Sequence, residues 1–560
     1  MAQVSIQPAD PPGSAGSADP SLPADPAGSA RLTDPAAPSG QPGPAATADH
    51  LAAAEPPRAV GLADPSSPAE AAEPGSRTGS PRPGGWSRTV QTFRAYDPLG
   101  GRGPNGPIER LMSTVIRKLS WSRLSEPRVA LAVSGAGLLL GMLVGAMAPN
   151  SETLPIRLPL TRLLQQSHVL PSLGHHSIIA GAMLYTGDIL ACLGLAGMLW
   201  AHSQGWRPDP RRLLLASAAI VAVMVSLTPV GSSDTASYAA YGRIASLGGN
   251  PYRLSPLVLR HTAYWAVIGT AWRRQPSVYG PVATVIQSFA ARIGGPNIAT
   301  TIWILMILNG IVFIGVGWLL LKTSDDPVRA TLFWVANPVI IQQLVSGGHL
   351  DTFVAAAAIC SIQVARRVSG MWGDVLIGVL IGLACGVKIN AALIGIGLAW
   401  PLLRRHEWMR TARITVVSLV TVALVYAYYG LGALKPLLNA SKLVALPSPW
   451  RLFQVAAETA GLSPATVGTL ISCLWPIAMI VVAWFIYQRI SSDQPREVVA
   501  PFALTFSWIL VAPWVFPWYT AIAWVALTQV PRNRMTRWLA IVTVFLALWR
   551  SGGGHGIISG

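Results

Sequence analysis

Residues 129–148 read VALAVSGAGLLLGMLVGAMA, twenty consecutive positions without a charge. At 1.5 Å of rise per residue, a helix of that length matches the ~30 Å hydrocarbon thickness of a bilayer. Upstream lies an arginine-rich stretch. Downstream, further apolar runs recur near 177–200, 213–230, 299–321, 328–345, 352–366, 374–387, 390–403, 413–430, 464–487, 498–511, 518–530 and 537–550. The pattern predicts an all-α polytopic membrane protein with about 13 transmembrane helices over 129–550. Composition agrees: the chain has 560 residues, 51% of them hydrophobic and only 12% charged, with a mean hydropathy of +0.45. Soluble domains carry roughly 25% charged residues, so one or two soluble domains are excluded. The four cysteines, Cys192, Cys360, Cys385 and Cys473, all sit in apolar runs, which rules out a disulfide scaffold or zinc site as the organising principle.

The net charge of +17 is divided unevenly. Residues 1–80 hold three arginines against nine acids, a net of −6, in Ala, Pro, Gly and Ser. With almost no large apolar side chains, this segment reads as a disordered cytoplasmic tail, and it lacks the n- and h-regions of a signal peptide. Residues 81–128 reverse the sign, with nine basic residues against three acids, a net of +6. Such a juxtamembrane cluster places that end in the cytoplasm. It reads either as a short interfacial helix around Leu111, Val115, Leu119 and Leu124 or as a plain linker. With the N-terminus inside, Arg207, Arg211, Arg212, Lys322, Arg329, Arg366, Arg367, Arg404, Arg405, Arg489, Arg532 and Arg534 all fall in cytoplasmic loops. A multi-pass plasma-membrane protein follows, with long outer loops at about 231–298 and 431–463 and a short tail at 551–560. The first loop contains a weakly apolar stretch, 281–293, readable as a loop helix or a partial span.

The richest stretch for chemistry is Gly231-Ser-Ser-Asp234-Thr-Ala-Ser-Tyr238-Ala-Ala-Tyr241-Gly242-Arg243, with Asn250-Pro-Tyr252 beyond it. It begins where the third apolar run meets the outer surface. A carboxylate there faces water from a rigid helix end, and Ser233 or Asp234 equally fits a helix cap. Further polar groups recur on the same side. They are Tyr279-Gly-Pro281, Asn337-Pro338, Gly347-Gly-His349-Leu-Asp351, Lys388 in Gly386-Val-Lys388-Ile-Asn390, and Pro517-Trp518-Tyr519. Lys388 suits an outer hairpin turn, either as an anion contact or as a lysine snorkelling to the interface. His349 and Asp351 read as a helix-capping pair, an acceptor contact or a support for a base. The tyrosines and tryptophans form an aromatic belt by default, and their apolar faces with polar tips also suit sugars. Asp188, in the middle of a span, is expected to face protein or a water-filled cavity.

In this order along a many-span chain, these motifs resemble the actinobacterial polyprenol-phosphate-mannose-dependent α-(1→6)-mannosyltransferases, which are GT-C class membrane glycosyltransferases. The resemblance covers roughly 129–550. It implies a GT-C-type bundle and an inverting transfer of mannose from polyprenyl-phosphate-mannose. The implied acceptor is a lipid-anchored α-(1→6)-mannan of the lipomannan or lipoarabinomannan type, on the extracytoplasmic side. Asp234 matches the family's catalytic base. The resemblance is to GT-C relatives without a large soluble C-terminal domain, so acceptor binding is expected to fall to the two outer loops.

Under that reading, the acceptor hydroxyl needs a carboxylate to take its proton, while the phosphate leaving group departs as an anion and needs cations. Arg243 and Lys388 are the candidates for donor phosphate. Tyr238, Tyr252, Tyr279, His349, Asp351, Trp518 and Tyr519 are the candidates for sugar or acceptor. No cofactor and no metal are expected, since two distant carboxylates, Asp234 and Asp351, are weak grounds for a divalent cation. Membrane lipid, donor and mannan glycolipid are the expected partners, without nucleic acid. Two alternatives remain open: a GT-C enzyme using another polyprenyl-phosphate sugar such as arabinofuranose, and a lipid-linked-sugar transporter or flippase. A transporter would spread ionisable groups along a path between helices, whereas here they gather at one face.

Overall fold

The computed structural model describes residues 126–175, 177–440, 442–490 and 495–549. The tail at 1–80, almost all of the basic segment at 81–128, and the C-terminal 551–560 lie outside the described residues. Those residues are helical, with no strand among them beyond two isolated bridges. The helices are α1 (Pro127–Ala146), α2 (Pro159–Gln166), α3 (Ile178–Ser203), α4 (Pro210–Met224), α5 (Asp234–Ser246) and α6 (Pro281–Gly294). They continue with α7 (Ile298–Thr323), α8 (Pro327–Phe333), α9 (Asp351–Arg367), α10 (Met371–Cys385), α11 (Ala392–Arg404) and α12 (Trp408–Ala427). The last are α13 (Pro449–Thr459), α14 (Pro464–Arg489), α15 (Arg496–Val511), α16 (Thr520–Leu527) and α17 (Met535–Trp549), with shorter turns between.

Among the described residues five helices, α1, α3, α7, α12 and α14, are long and apolar enough to cross a membrane. A sixth counts if α8 and Pro338–Ser346, bent by 42°, form one span. Local chemistry sets their starts. Proline occupies the first turn of α1 and α14, where its missing N–H costs no bond. Ser177 Oγ, Asn297 Oδ1 and Ser463 Oγ accept from free N–H groups at the starts of α3, α7 and α14. The apolar run 328–345 is not one straight helix, because Pro338 supplies no N–H to it and Asn337 turns its side chain to cap Val339 and Ile340. In α1 and α3 small residues replace large ones at the contact: a Cβ on Gly137 would strike the backbone of Gly187 and Ala191.

Charged groups meet at the two ends of these helices in separate sets. Arg366 pairs with Asp325 at 2.8 Å, Arg532 with Asp326 at 2.8 Å and Arg413 with Asp374 at 2.7 Å. Each of these arginines or acids lies at the helix end opposite to the one that bears Asp351 and Lys388. The loop 231–298 holds α5 and α6, so the stretch 281–293 is a helix, packed chiefly on α5 and α7. The loop 431–463 holds Lys435–Ala440 and α13.

Candidate active site

Asp234 is the first residue of α5, and its backbone N–H donates to Ser232 Oγ at 3.2 Å. Ser233, the residue before it, makes no side-chain cap bond to that helix. One turn on, Tyr238 donates its hydroxyl to Asp234 Oδ2 at 3.3 Å, the contact that i, i+4 spacing produces. Burial above all, then the neighbouring Tyr279 phenol and the Asp234 and Asp351 carboxylates, push the Tyr238 hydroxyl well above its ordinary pKa. Burial and the same Asp234 charge raise Tyr279. Both phenols therefore stay protonated, and Tyr238 is the one that donates to the carboxylate. The two rings meet edge to face, 4.9 Å between centroids.

The bent pair delivers the opposite wall. After the π-helical turn Ile341–Ser346, Gly348 adopts φ 68°, a left-handed conformation that favours glycine. A side chain there would also run into Thr235 and Met306. This turn brings His349 Nδ1 to 3.5 Å from Asp234 Oδ2, an ion-pair distance once the ring is protonated, though without hydrogen-bond alignment. His349 is 1% exposed and Asp234 21%, so water reaches the acid and not the imidazole. The imidazole stacks on Trp518 with 3.7 Å between centroids, and the His349 carbonyl accepts from Asn309 at 2.6 Å and Thr352 at 3.2 Å. Thus His349 faces Asp234 rather than Asp351.

Asp351 opens α9 and accepts from Lys388 Nζ at 2.6 Å, with side chains 5% and 12% exposed. Lys388 sits in the turn between α10 and α11 and lies 4.7 Å from the Tyr519 ring and 5.7 Å from the Tyr279 ring. The turn is fixed by backbone bonds: Gly280 N–H donates to the Val387 carbonyl at 3.0 Å and Val282 N–H to the Gly386 carbonyl at 2.8 Å. A Cβ on Gly280 would collide with Gly386, so Tyr279-Gly-Pro281 carries glycine where two backbones touch. Tyr519 in turn stacks on Trp508 at 5.1 Å.

The structure therefore gathers Asp234, Tyr238, Tyr279, His349, Asp351, Lys388, Trp518 and Tyr519 from five distant parts of the chain. It does not bring two other expected residues to them. Arg243 lies at the far end of α5, its guanidinium carbon 6.0 Å from the Tyr264 ring. Tyr252 spends its hydroxyl on Thr284 at 2.7 Å and packs on Tyr429, tying the loop to the α12 end. Sequence reasoning missed Asn309, Trp508 and Phe516, which hold His349, Tyr519 and Trp518 in place; Asn309 and Trp508 are unmarked inside apolar runs, and Phe516 is unmarked between two of them. Asp188 is buried in α3. Among the described residues no group of three or more His, Cys, Asp or Glu is arranged to hold a metal ion.

The helical chain thus presents a water-accessible carboxylate, a paired lysine and a wall of aromatic rings in one cluster. Residues 131–404 match the family model described as alpha-(1->6)-mannopyranosyltransferase, N-terminal domain. The chain is 24% identical over 427 residues to alpha-(1->6)-mannopyranosyltransferase A of Mycobacterium tuberculosis, covering 69% of this chain and 78% of that protein. It is 26% identical over 332 residues to alpha-(1->6)-mannopyranosyltransferase B of Corynebacterium glutamicum, covering 55% and 53%. With alpha-(1->6)-mannopyranosyltransferase A of C. glutamicum it shares 23% over 452 residues, covering 67% and 89%. No solved structure matches. Through residues 131–404 the chain is similar to the alpha-(1->6)-mannopyranosyltransferase family, and these likenesses indicate alpha-(1->6)-mannosyltransferase activity.

Proposed function

We propose that the chain transfers mannose, with inversion, from polyprenyl-phosphate-mannose to a lipid-anchored α-(1→6)-mannan acceptor on the extracytoplasmic face of the plasma membrane. The observation that carries this reading is the Asp234 carboxylate, held by Tyr238 at 3.3 Å and lying within one cluster of side chains with the Lys388–Asp351 pair. The acceptor oxygen attacks the anomeric carbon as its proton passes to Asp234, and the bond from that carbon to the phosphate oxygen breaks. The polyprenyl phosphate leaves as an anion toward Lys388, so no general acid is needed. The half-buried Tyr279 and Tyr519 offer rings and hydroxyls to the two sugars, whereas Tyr238 and Trp518, 0% and 4% exposed, are buried behind Asp234 and His349 and cannot serve as the sugar contacts expected of them. Arg243 lies apart from this cluster in the fold, which favours Lys388 as the phosphate contact.

The topology belongs to the same proposal. With the N-terminus in the cytoplasm, about thirteen crossings put Asp234, Tyr279, His349, Asp351, Lys388 and Trp518 on the outer side. Their convergence in one cluster, with Arg366, Arg413 and Arg532 at the opposite helix ends, supports that alternation.

The test is purified protein given radiolabelled polyprenyl-phosphate-mannose and a short α-(1→6)-mannoside in detergent. Elongation by an α-linked mannose, lost in Asp234→Ala, is the expected result. Transfer from the corresponding arabinofuranose donor instead, or lipid transport in liposomes without elongation, overturns the reading.

A further inference from the structure

Outside the catalytic cluster a cavity of about 800 Å³ opens beside α2, within the size range of ligand sites. Its lining is amphiphilic, with Arg157, Arg162, Gln165 and Ser172 on the polar side and Ile156 and Leu170 on the apolar side. No carboxylate lines it among the described residues. The mechanism uses none of these groups.

The position follows from the helices around it. The segment lies between the end of α1 and the start of α3, and Ala299 at the start of α7 closes one wall. These are the outer ends of three membrane-crossing helices in the proposed topology. Thr161 of α2 is buried and donates to the Gly145 carbonyl at 3.0 Å, while Leu163 on the same helix is 60% exposed. On the same connection Val169 is 63% exposed, and Ile178 at the start of α3 is 88% exposed, so large apolar side chains stand open along the segment that carries the cavity.

One of the two arginines is positioned in advance. Gln165 donates to the carbonyls of Ala146, at 3.0 Å, and Ala148, which pins its amide to the end of α1. Its Oε1 then accepts from Arg157 Nε at 2.6 Å. This bond uses the inner nitrogen and leaves the terminal guanidinium edge for another partner. Among the described residues neither that edge nor the Arg162 guanidinium has an ion-pair or hydrogen-bond partner. Two guanidinium groups, the Gln166 amide and the apolar Ile156 and Leu170 fit a phosphate that carries acyl chains better than a soluble anion.

We infer that this cavity binds the phosphodiester head group of an anionic membrane lipid, separately from the donor phosphate at Lys388. The experiment places the full chain in phosphatidylcholine nanodiscs doped with phosphatidylglycerol and counts retained lipids by native mass spectrometry. Phosphatidylglycerol retention is expected, with Arg157→Ala/Arg162→Ala weakening it about thirtyfold, at roughly a fivefold loss per basic residue. Arg211→Ala/Arg212→Ala, which removes two exposed arginines from the start of α4, should retain wild-type binding. Equal elution profiles show that all three proteins are folded. Retention indifferent to Arg157 and Arg162 overturns the inference. So does displacement of phosphatidylglycerol by an equal concentration of polyprenyl phosphate, which assigns the cavity to the donor. Displacement by inorganic phosphate alone overturns it in favour of a free-anion site.

Discussion

Replacing Asp351 by Asn leaves the Lys388 ammonium in a site that is 12% exposed, without the carboxylate now 2.6 Å away. At that separation and an effective dielectric of about 20, the attraction is roughly 6 kcal/mol, much of it offset by the desolvation of both ions. The Tyr519 and Tyr279 faces, at 4.7 and 5.7 Å, return only about 0.5–2 kcal/mol. The single variant should therefore lose about 3–5 kcal/mol of stability, the usual consequence of stranding one buried charge. Lys388→Met should strand Asp351 similarly. Asp351→Asn/Lys388→Met removes both charges and should recover most of the loss.

Unfolding in detergent micelles measures all four proteins, and the double-mutant cycle isolates the pair. A coupling above about 2 kcal/mol is expected. The cycle also bears on function, because saturating donor brings its own anion to Lys388 and should narrow the gap between Asp351→Asn and wild type. Strictly additive losses would refute the claim that the pair acts as a unit. A donor that stabilises every variant equally would refute the placement of phosphate at Lys388.

Asp234→Asn keeps an oxygen for the Tyr238 hydroxyl but removes the base, so turnover should drop by about 10²–10⁴ while donor binding, measured by retention of labelled lipid, stays unchanged. Gly348→Ala forces a side chain into a left-handed turn against Thr235 and Met306, which should cost more than about 1 kcal/mol. Because the same turn sets His349, turnover should fall with the unfolding midpoint. Arg243→Ala, at the other end of α5 against Tyr264, should leave donor kinetics unaltered in initial-rate measurements.

Much of the candidate cluster was legible because polar groups stand out in an apolar chain and because the expected alternation of spans puts them on one side. Asp234, His349, Asp351, Lys388 and Trp518 could be placed together by parity of crossings alone. Pairing was not legible, since parity gives a face and not a neighbour. His349 and Asp351 sit two residues apart yet serve different partners, Asp234 and Lys388, because the Gly348 turn precedes one and α9 begins at the other. The separation of Arg243 from Asp234 follows from helical phase. Nine residues at about 100° each put the two on opposite sides of α5 and about 13.5 Å apart along its axis. The i, i+4 spacing of Asp234 and Tyr238 carried the opposite message, and their hydroxyl–carboxylate bond follows from it. Arg157 and Arg162 carried no such signal: their common cavity depends on how 149–175 folds back over the ends of α1 and α7, a path set by Gln165 and Thr161 bonding to backbone carbonyls. In a chain whose spans are chemically alike, backbone contacts at the span ends therefore decide which polar side chains meet, and substitutions there should perturb the chemistry as strongly as those at the reacting groups.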